Sequence, residues 1–343
     1  MLLKHTWMSM TLAALLLLVV GSTVTAQTPE VAPEVPRGEA DLPPGCGFVP
    51  PALDRVHLTG RTGASASAMA PPTYFDWRDS GIVTPIRNQG PCGACFAFAT
   101  LANIEAQVAR NGGGLVNYSE NHAKQCSWEG LNWPGASCDS GNNYYSMCNL
   151  FSRDGTVLES CDPYVTIDDV CDSSCVRYKQ ITDWRVLSGN AIPASDDLKA
   201  AVLEHGPIYT TIYAGGTGDM AWYSTFSAYN GSSVLHYDDL TNQPNHAVVI
   251  IGWDDTASHA GGTGAWLVRN SWGNSWGGSF GGSEAGYLKI AYGSANIGKW
   301  SSVAAAVDDF DGDVEVYSHD EAGWTSDFGS AGGPTTMHTM SRF

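Results

Sequence analysis

Asn88-Gln89-Gly90-Pro91-Cys92-Gly93-Ala94-Cys95-Phe96-Ala97-Phe98 joins a loop rich in glycine and proline to an apolar run with helical periodicity. The apolar positions of this run recur at helical spacing, at Phe98, Leu101, Ile104 and Val108. The glycines at 112–114 then mark the end of this helical pattern. We predict a buried helix that begins at Cys95, where the unpaired amides and the positive end of the helix dipole stabilise a thiolate.

Two later segments supply the groups that a thiol nucleophile needs. They are Asn245-His246-Ala247 and Asn270-Ser271-Trp272-Gly273. A thiol ionises readily when a cation lies nearby, and an imidazolium provides that cation. The sequence therefore predicts Cys95 as the nucleophile, His246 as the acid and base, and Asn270 as the group that orients the imidazole ring.

The composition excludes several classes of partner. The chain of 343 residues has 35 acidic and 17 basic side chains, which give a net charge of -18. Nucleic acids and anionic membranes require clustered Lys and Arg, so neither is an expected partner. Only 15% of the residues are charged and 39 are glycine, which is typical of a loop-rich globular protein with a substantial core.

The two ends of the chain differ in composition from the middle. Residues 1–26 contain an apolar run from Met8 to Val20 that is too short for a comfortable membrane span, which is typical of a signal peptide. Residues 27–72 are rich in Pro, Gly, Ala and Ser and are interpreted as a short propeptide or linker. The folded domain is expected over residues 73–307, followed by an extension of unknown role over residues 308–343.

The cysteine count agrees with secretion, or with a lysosome-like compartment if the host is eukaryotic. Nine cysteines occur, so at least one is left over. If Cys95 is the free thiol, the other eight allow up to four disulfides in about 105 pairings. Residues 126–175 hold six of the nine among Gly, Asn, Asp and Ser, which predicts loops held by disulfides more than regular structure.

Beyond this region the pattern changes from helical to extended. A second helix is indicated from Ser195 to the Gly206-Pro207 pair. Short runs of β-branched and aromatic residues follow and predict an antiparallel sheet, at Ile208 to Tyr213, His246 to Trp253, Ala265 to Arg269 and Gly286 to Tyr292. The chain is therefore helical first and β-rich second.

These residues resemble the papain family of cysteine peptidases, from about residue 75 to about residue 307. In that family a Gln-Gly-x-Cys-Gly-Ser/Ala-Cys-Trp segment carries the oxyanion glutamine and the nucleophile, which correspond to Gln89 and Cys95. An Asn/Asp-His-Ala segment carries the base, here His246, and Asn-Ser-Trp-Gly carries the orienting residue, here Asn270. The resemblance implies an α+β, papain-like two-lobed fold, with a helical left lobe, an antiparallel β-barrel-like right lobe and the active-site cleft between them.

The resemblance also implies further contacts around the cleft. Gln89 and the Cys95 amide would receive the oxyanion. Ser140-Gly141 stands where the family has a Gly-Gly pair whose backbone binds the substrate chain. Asn245 and Trp272 complete the substrate-binding set, and Trp272 would cover the hydrogen bond between the histidine and the asparagine.

By the same resemblance Cys92 pairs with Cys138. Cys126 pairs with a cysteine of the 161–175 region, which contains Cys161, Cys171 and Cys175. The partner of Cys46 stays open, because Cys46 either bridges into the mature domain or is removed with a propeptide. No cofactor and no metal is implied.

The sequence also departs from the family pattern. Phe96 replaces the tryptophan that usually follows the nucleophile, and an aromatic ring still occupies that position. The stretch Ala257 to Gly264 is interpreted as an insertion that extends a hairpin without moving its ends. The residues before the domain are too few for a helical inhibitory propeptide. Inhibition would then use a short extended segment across the cleft, or the enzyme needs no strong latency.

We expect a secreted endopeptidase of the Cys-His-Asn type that acts as a monomer on protein or peptide substrates and is open to proteinaceous inhibitors. The alternatives are an exopeptidase or a peptide ligase with the same catalytic set, in which a loop from residues 126–175 blocks one end of the cleft, and a non-catalytic peptide-binding protein. The segment Cys92-Gly93-Ala94-Cys95 is also a C-x-x-C motif, which is typical of redox or zinc sites. Such a role would leave the motifs at His246 and Asn270 without a function.

Overall fold

The structure, a computed structural model, describes residues 43–51, 59, 70–127 and 137–312. The predicted signal peptide, most of the predicted propeptide or linker and the chain after residue 312 lie outside these described residues. Among the helices of the described part, none is both long and apolar enough to cross a membrane.

The regular elements fall into a mainly helical first half and a mainly β-stranded second half. In chain order they are β1 (Tyr74–Asp76), α1 (Cys95–Arg110), α2 (Glu120–Cys126), α3 (Ser137–Ser140), α4 (Tyr144–Arg153), β2 (Lys179–Val186), α5 (Ser195–His205), β3 (Ile208–Ile212), α6 (Met220–Ser227), β4 (His246–His259), β5 (Gly262–Arg269), β6 (Tyr287–Ala291) and β7 (Lys299–Asp309). Short 3-10 helices lie at Trp77–Ser80 and Ser294–Asn296.

Helix α1 begins at Cys95, as its sequence pattern predicts, and forms the centre of the helical half. Every residue from Cys95 to Val108 is buried, so the helix is covered on all sides. Beyond its last residue, Gly112 has a φ of 83°, a left-handed conformation that suits glycine and prevents the helix from continuing. The helix therefore presents Cys95 at a sheltered first turn.

The prediction of loops more than regular structure was wrong for part of the 126–175 region, because α4 lies within it. The side chain of Asn143 accepts hydrogen bonds from the backbone amides of Tyr145 and Ser146, which starts the helix. Its buried apolar face has helical spacing, at Tyr144, Met147, Cys148 and Phe151. Because Gly, Asn and Ser residues surround this face, the composition of the region did not predict the helix.

Three disulfides hold this region together, and they join Cys92 to Cys138, Cys126 to Cys171, and Cys161 to Cys175. The first two pair the cysteines that the family resemblance implied. Cys46, Cys95 and Cys148 are buried and lie outside these bridges in the described chain. The eight cysteines other than Cys95 thus form three bridges and leave two thiols.

The strands of the described residues form one seven-stranded sheet in the order β2-β7-β3-β4-β5-β6, with β1 paired to β4. All pairings are antiparallel, as predicted. The β4–β5 hairpin extends until His259 lies opposite Gly262, so the stretch interpreted as an insertion forms its tip. Strand β7 continues to Asp309, past the expected domain end at Val307.

Two large clusters of buried apolar side chains and a third small one fill the interior of the part of the chain that the structure describes. Successive residues of β4 alternate between the two large clusters, because Val249 and Ile251 belong to the first cluster and Val248 and Ile250 to the second. The first cluster packs α1 and α4 against one face of the sheet, and the second packs α5 and α6 against the other. Residues 43–51, which we call the cleft segment, contribute to both clusters.

Candidate active site

The candidate nucleophile and the candidate base come from different halves of the fold. Cys95 is the first residue of α1 and is fully buried. The backbone amide of Ala247 on β4 donates a hydrogen bond of 3.3 Å to the Cys95 sulfur. Because His246 directly precedes Ala247, the structure brings Cys95 and His246 together from distant parts of the sequence.

A hydrogen bond of 2.7 Å joins Nε2 of His246 to the side-chain oxygen of Asn270. Since that oxygen can only accept, Nε2 carries the proton, and Nδ1 is left to exchange a proton with a thiol. Nδ1 is buried and has no hydrogen-bond partner within the described part of the chain. The Trp272 ring lies 5.1 Å from the His246 ring, centroid to centroid.

Hydrogen bonds to its backbone amide and to both polar atoms of its side chain fix the position of Gln89. Its backbone amide donates to the Ser271 carbonyl at 2.8 Å, and its Nε2 donates to the Cys92 carbonyl at 2.7 Å. The Ser271 hydroxyl donates a short hydrogen bond to Oε1 of Gln89. The amide group of Gln89 therefore has a fixed orientation, with its nitrogen on the side of the loop that leads to Cys95. Sequence reasoning did not give Ser271 this role, although the residue lies within the quoted Asn270 motif.

The cleft segment crosses the site as an extended chain. The Phe48 amide donates to the Asn245 carbonyl at 3.0 Å, and the Trp272 indole donates to the Gly45 carbonyl at 3.1 Å. On the helical side, Asn142 donates to the Gly47 carbonyl at 2.9 Å and accepts from the Val49 amide at 3.0 Å. The segment thus pairs with both walls at once and runs parallel to the chain at Asn142.

Glycines make this close passage possible. A Cβ atom added at Gly47 would lie 1.7 Å from the Gly93 carbonyl oxygen, and one added at Gly141 would lie 2.1 Å from the Gly47 oxygen. Gly141 also has a φ of 65°, which disfavours any side chain there. Of the predicted Ser140-Gly141 pair, Ser140 is the last residue of α3. Gly141 lets the cleft segment pass close to the chain at this point. The backbone pairing itself is made by the next residue, Asn142, which the sequence analysis did not single out.

Phe48 is buried among aromatic side chains and is only 2% exposed. It lines a small cavity together with Pro51, Asn143, Tyr144, Tyr145, Tyr209 and Trp300. The first cluster of core residues includes Phe48 itself, so the cleft segment is anchored by apolar burial as well as by backbone hydrogen bonds. No sequence pattern pointed to this contact, because residues 43–51 have the composition of a linker.

Asn245, predicted to bind substrate, is nearly buried and tied to the backbone of the sheet lobe. Its side-chain amide donates to the Gly215 carbonyl at 2.6 Å, and its side-chain oxygen accepts from the Ala214 amide at 2.9 Å. These bonds leave its main-chain carbonyl facing the cleft, where Phe48 binds it. The contact that Asn245 offers is therefore a backbone one.

Burial shifts the pKa of both candidate catalytic groups toward their neutral forms. It raises the pKa of Cys95 to about 12, against the opposing effect of the amide hydrogen bond from Ala247. It lowers the pKa of His246 to about 4, and the hydrogen bond with Asn270 offsets this only in part. With the cleft segment in place, burial therefore favours the thiol over the thiolate and the neutral imidazole over the imidazolium.

One group of side chains in the described residues has the spacing of a metal site, and it consists of His122, Cys126 and Cys171. Cys126 and Cys171 are joined by a disulfide, so their sulfurs are not available as thiolate ligands. His122 contacts the Cys126 sulfur through Nδ1 at 3.0 Å. This arrangement is a buried structural contact, remote in sequence from the Cys95 site.

The fold and the site together define a class of protein, the two-lobed α+β proteins that hold a cysteine at a helix start against a histidine and an asparagine on a sheet. A family model described as papain family cysteine protease matches residues 71–307. This chain belongs to the papain family of cysteine proteases.

The sequence is similar to several cathepsins. It is 32% identical to cathepsin J of Mus musculus over 208 residues, which cover 59% of this chain and 57% of that protein. It is 30% identical to human cathepsin L2 over 223 residues, which cover 64% of this chain and 60% of that protein. The match therefore spans less than two thirds of the length of these relatives.

Solved structures show the same fold. The digestive procathepsin L2 proteinase from the larval midgut of Tenebrio molitor superposes with a TM-score of 0.60 at 27% identity, covering 80% of this chain and 81% of that one. Bromelain from Ananas comosus, solved in complex with the E64 inhibitor, gives a TM-score of 0.53 at 26% identity and covers 68% and 98% of the two chains. The papain-like α+β fold expected from the sequence is confirmed.

Proposed function

We propose that this protein hydrolyses internal peptide bonds of protein or peptide substrates, with Cys95 as nucleophile and His246 as general acid and base. One observation carries the proposal. The Cys95 sulfur accepts a hydrogen bond from the backbone amide of Ala247, the residue after His246, and the His246 ring is hydrogen-bonded to Asn270. Family membership supports the same reaction class.

In the proposed reaction the Cys95 proton passes to Nδ1 of His246, and the sulfur attacks the carbonyl carbon of the scissile bond. The Cys95 backbone amide and Nε2 of Gln89 receive the negative charge that develops on the carbonyl oxygen. The imidazolium then protonates the leaving amine. Neutral His246 next takes a proton from water, whose oxygen attacks the carbonyl carbon of the resulting thioester. The carbon–sulfur bond breaks, the carboxylic acid product leaves, and the Cys95 sulfur regains a proton from the imidazolium. Asn270 keeps the ring oriented through both steps.

The cleft segment would make the full chain a zymogen. In this proposal it is the inhibitory part of a short propeptide within residues 27–72, and cleavage after it followed by its departure opens the cleft. The backbone pairing with Asn142 and the burial of Phe48 support this role, because both occupy groups that a substrate chain would use. The proposal corresponds to the short extended segment considered from the sequence.

We further propose that residues 1–26 export the protein and that it works as a monomer outside the cytoplasm or in a lysosome-like compartment. The disulfides at Cys92, Cys126 and Cys161 support an oxidising compartment. An open cleft of this shape would also accept proteinaceous inhibitors as extended chains. Residues 308–343 have no assigned part in this function.

The test is covalent labelling combined with turnover. The protein is trimmed before residue 73, exposed to a peptidyl epoxide under mild reduction and weighed intact, while cleavage of a fluorogenic peptide library is followed. We expect one adduct and internal cleavage from the trimmed wild type and from Cys148→Ala, and neither from Cys95→Ala. Absence of both in the trimmed wild type would leave a peptide-binding protein. Release of terminal dipeptides or formation of new peptide bonds would point to the exopeptidase or ligase alternatives.

A further inference from the structure

The hydroxyl of Tyr164 contacts the backbone of Gln89, although no step of the proposed reaction uses this tyrosine. It donates a hydrogen bond of 2.8 Å to the Gln89 carbonyl oxygen, from a position 75 residues further along the chain. On the other side of the Gln89 Cα atom, the backbone amide donates to the Ser271 carbonyl at 2.8 Å. Both peptide groups that flank this Cα atom are therefore held, which fixes the direction in which the Gln89 side chain leaves the backbone.

The peptide between Gln89 and Gly90 depends on this contact. Gly90 has a φ of 61°, in the left-handed region where a glycine rotates at little steric cost. The N–H of the same peptide donates to the side chain of Asn88 at 2.9 Å, but Asn88 is exposed and water can replace that bond. The hydrogen bond from Tyr164 therefore supplies a constraint that the glycine itself does not provide.

The ring of Tyr164 packs against the start of α1. It meets the Phe98 ring edge to face, with the two centroids 4.8 Å apart. The third, small core cluster lies here and consists of Cys92, Ala94 and Phe98. Tyr164 packs against this cluster. One side chain thus contacts both ends of the stretch from Gln89 to the first turns of α1, which carries the two candidate donors to the oxyanion.

Lys124 of α2 holds the loop that carries Tyr164. This lysine is buried, and its Nζ donates to the carbonyls of Val165 at 2.7 Å and Ile167 at 2.6 Å. The ammonium also lies 5.0 Å from the centre of the Tyr164 ring, in a cation–π contact. A buried ammonium that lost these partners would be left without compensation for its desolvation, so the loop is strongly held in place. The Tyr164 hydroxyl therefore reaches Gln89 from a rigid support.

We propose that Tyr164 is a positioning residue of the oxyanion hole. Its hydroxyl holds the Gln89 backbone so that Nε2 of Gln89 faces the carbonyl oxygen of the scissile bond. The inference deepens the proposed peptidase function and rests on it. A displaced donor stabilises the transition state less but leaves binding of the intact peptide nearly unchanged, so the effect of losing the hydroxyl should fall on kcat and not on KM.

Tyr164→Phe tests this role, because it removes the hydroxyl and keeps the ring that packs against Phe98 and Lys124. In the protein trimmed before residue 73 we expect kcat to fall by about 3- to 10-fold, with KM within about twofold of wild type. Tyr178→Phe is the matched control, since it removes a hydroxyl from an exposed ring and should keep wild-type kinetics.

The dependence on Gln89 is tested by a double-mutant cycle. Adding Tyr164→Phe to Gln89→Ala should lower kcat no further, because the hydroxyl acts only through the glutamine side chain. A wild-type kcat in Tyr164→Phe would overturn the proposal. The same loss of kcat in the presence and absence of the Gln89 side chain would overturn it as well.

Two reagents distinguish the oxyanion hole from a general disturbance of the site. Iodoacetamide alkylates Cys95 without forming an oxyanion, so Tyr164→Phe should react at the wild-type rate. A peptide aldehyde forms a tetrahedral adduct with Cys95 whose oxygen occupies the hole, and the variant should bind it about 3- to 10-fold more weakly. Alkylation slowed by the same factor as kcat would show that the hydroxyl only supports the packing around Cys95, and the positioning role would be refuted.

Failure of the proposed function gives a different result from failure of the positioning role. Neither turnover nor a peptidyl epoxide adduct in the trimmed wild type would refute the peptidase function, and the role of Tyr164 with it. An active wild type that Tyr164→Phe matches in kcat and in aldehyde affinity would refute the role of Tyr164 alone.

Discussion

The amide of Ala247 donates a 3.3 Å hydrogen bond to the Cys95 sulfur, and this bond joins the first turn of α1 to the start of β4. Neither partner is close to the other in sequence. The position of the thiol therefore depends on how the helical half packs against the sheet, and not on local side chains alone. Single substitutions that leave this packing intact should therefore show what each site residue contributes.

Replacement of Asn270 by alanine should reduce kcat more than it raises KM. The 2.7 Å bond to Nε2 is the contact that fixes the His246 ring, and without it the ring can turn away from Cys95. We expect kcat/KM of the trimmed protein to fall by about 10- to 100-fold. Steady-state kinetics on a fluorogenic peptide measure this, with the exposed Asn230→Ala as control. Unchanged kcat in Asn270→Ala would contradict the orienting role.

Replacement of Ser271 by alanine should act through Gln89. The Ser271 hydroxyl holds Oε1 of Gln89, so its loss allows the amide to rotate and weakens the oxyanion contact. We expect kcat to fall by about 3- to 10-fold in Ser271→Ala and by about 100-fold in Gln89→Ala. The double variant should be no slower than Gln89→Ala, because the serine acts only through the glutamine. Additive losses in that double-mutant cycle would argue against this coupling.

Replacement of Gly47 by alanine should weaken latency. The added Cβ would lie 1.7 Å from the Gly93 backbone oxygen, which a flexible side chain cannot relieve, so the cleft segment must shift outward. We expect the untrimmed, reduced protein to label with a peptidyl epoxide at least about tenfold faster than wild type.

Gly218→Ala is the matched control for this experiment, because a Cβ there meets nothing within 4 Å. Its labelling rate should equal that of wild type. Equal rates for Gly47→Ala and wild type, with both proteins folded, would mean that the cleft segment does not limit access to Cys95.

Acid should loosen the cleft segment. With the segment in place the pKa of His246 is lowered to about 4, below its ordinary value, so the covered form binds fewer protons than the open form. The stabilisation of the covered form is present above the ordinary histidine pKa and is lost as the pH falls from about 6.5 toward 4. Hydrogen exchange at the Phe48 and Val49 amides, corrected for intrinsic rates, should show protection at pH 7 that decreases steadily over this range.

The control for the acid effect is His122, whose pKa burial also lowers to about 4 but which lies away from the cleft. His122→Gln should keep the pH dependence of exchange at Phe48, whereas His246→Gln should flatten it. Protection that stays constant from pH 7 to pH 4 in wild type would show that protonation of His246 is not coupled to opening.

The parts of the fold that the sequence predicted have strong local signals. The apolar spacing after Cys95 marked α1, and the Ser195 and Gly206 signals marked α5 at its observed position. Helix α4 was missed because its apolar face is interrupted by polar residues and framed by cysteines and glycines. The short strand β1 was missed as well, since three residues carry too little pattern and their pairing with β4 is a long-range event.

The sequence by itself determined the reactive residue types, their order along the chain and the start of the helix that holds Cys95, because these depend on side-chain chemistry and local backbone preference. Only the tertiary structure decided that residues 43–51 lie across the site and that Asn142 makes the backbone pairing. Such contacts join chain segments far apart in sequence. They form because packing the two halves places backbone hydrogen-bonding groups and apolar side chains along both walls, with which an extended chain can pair and pack.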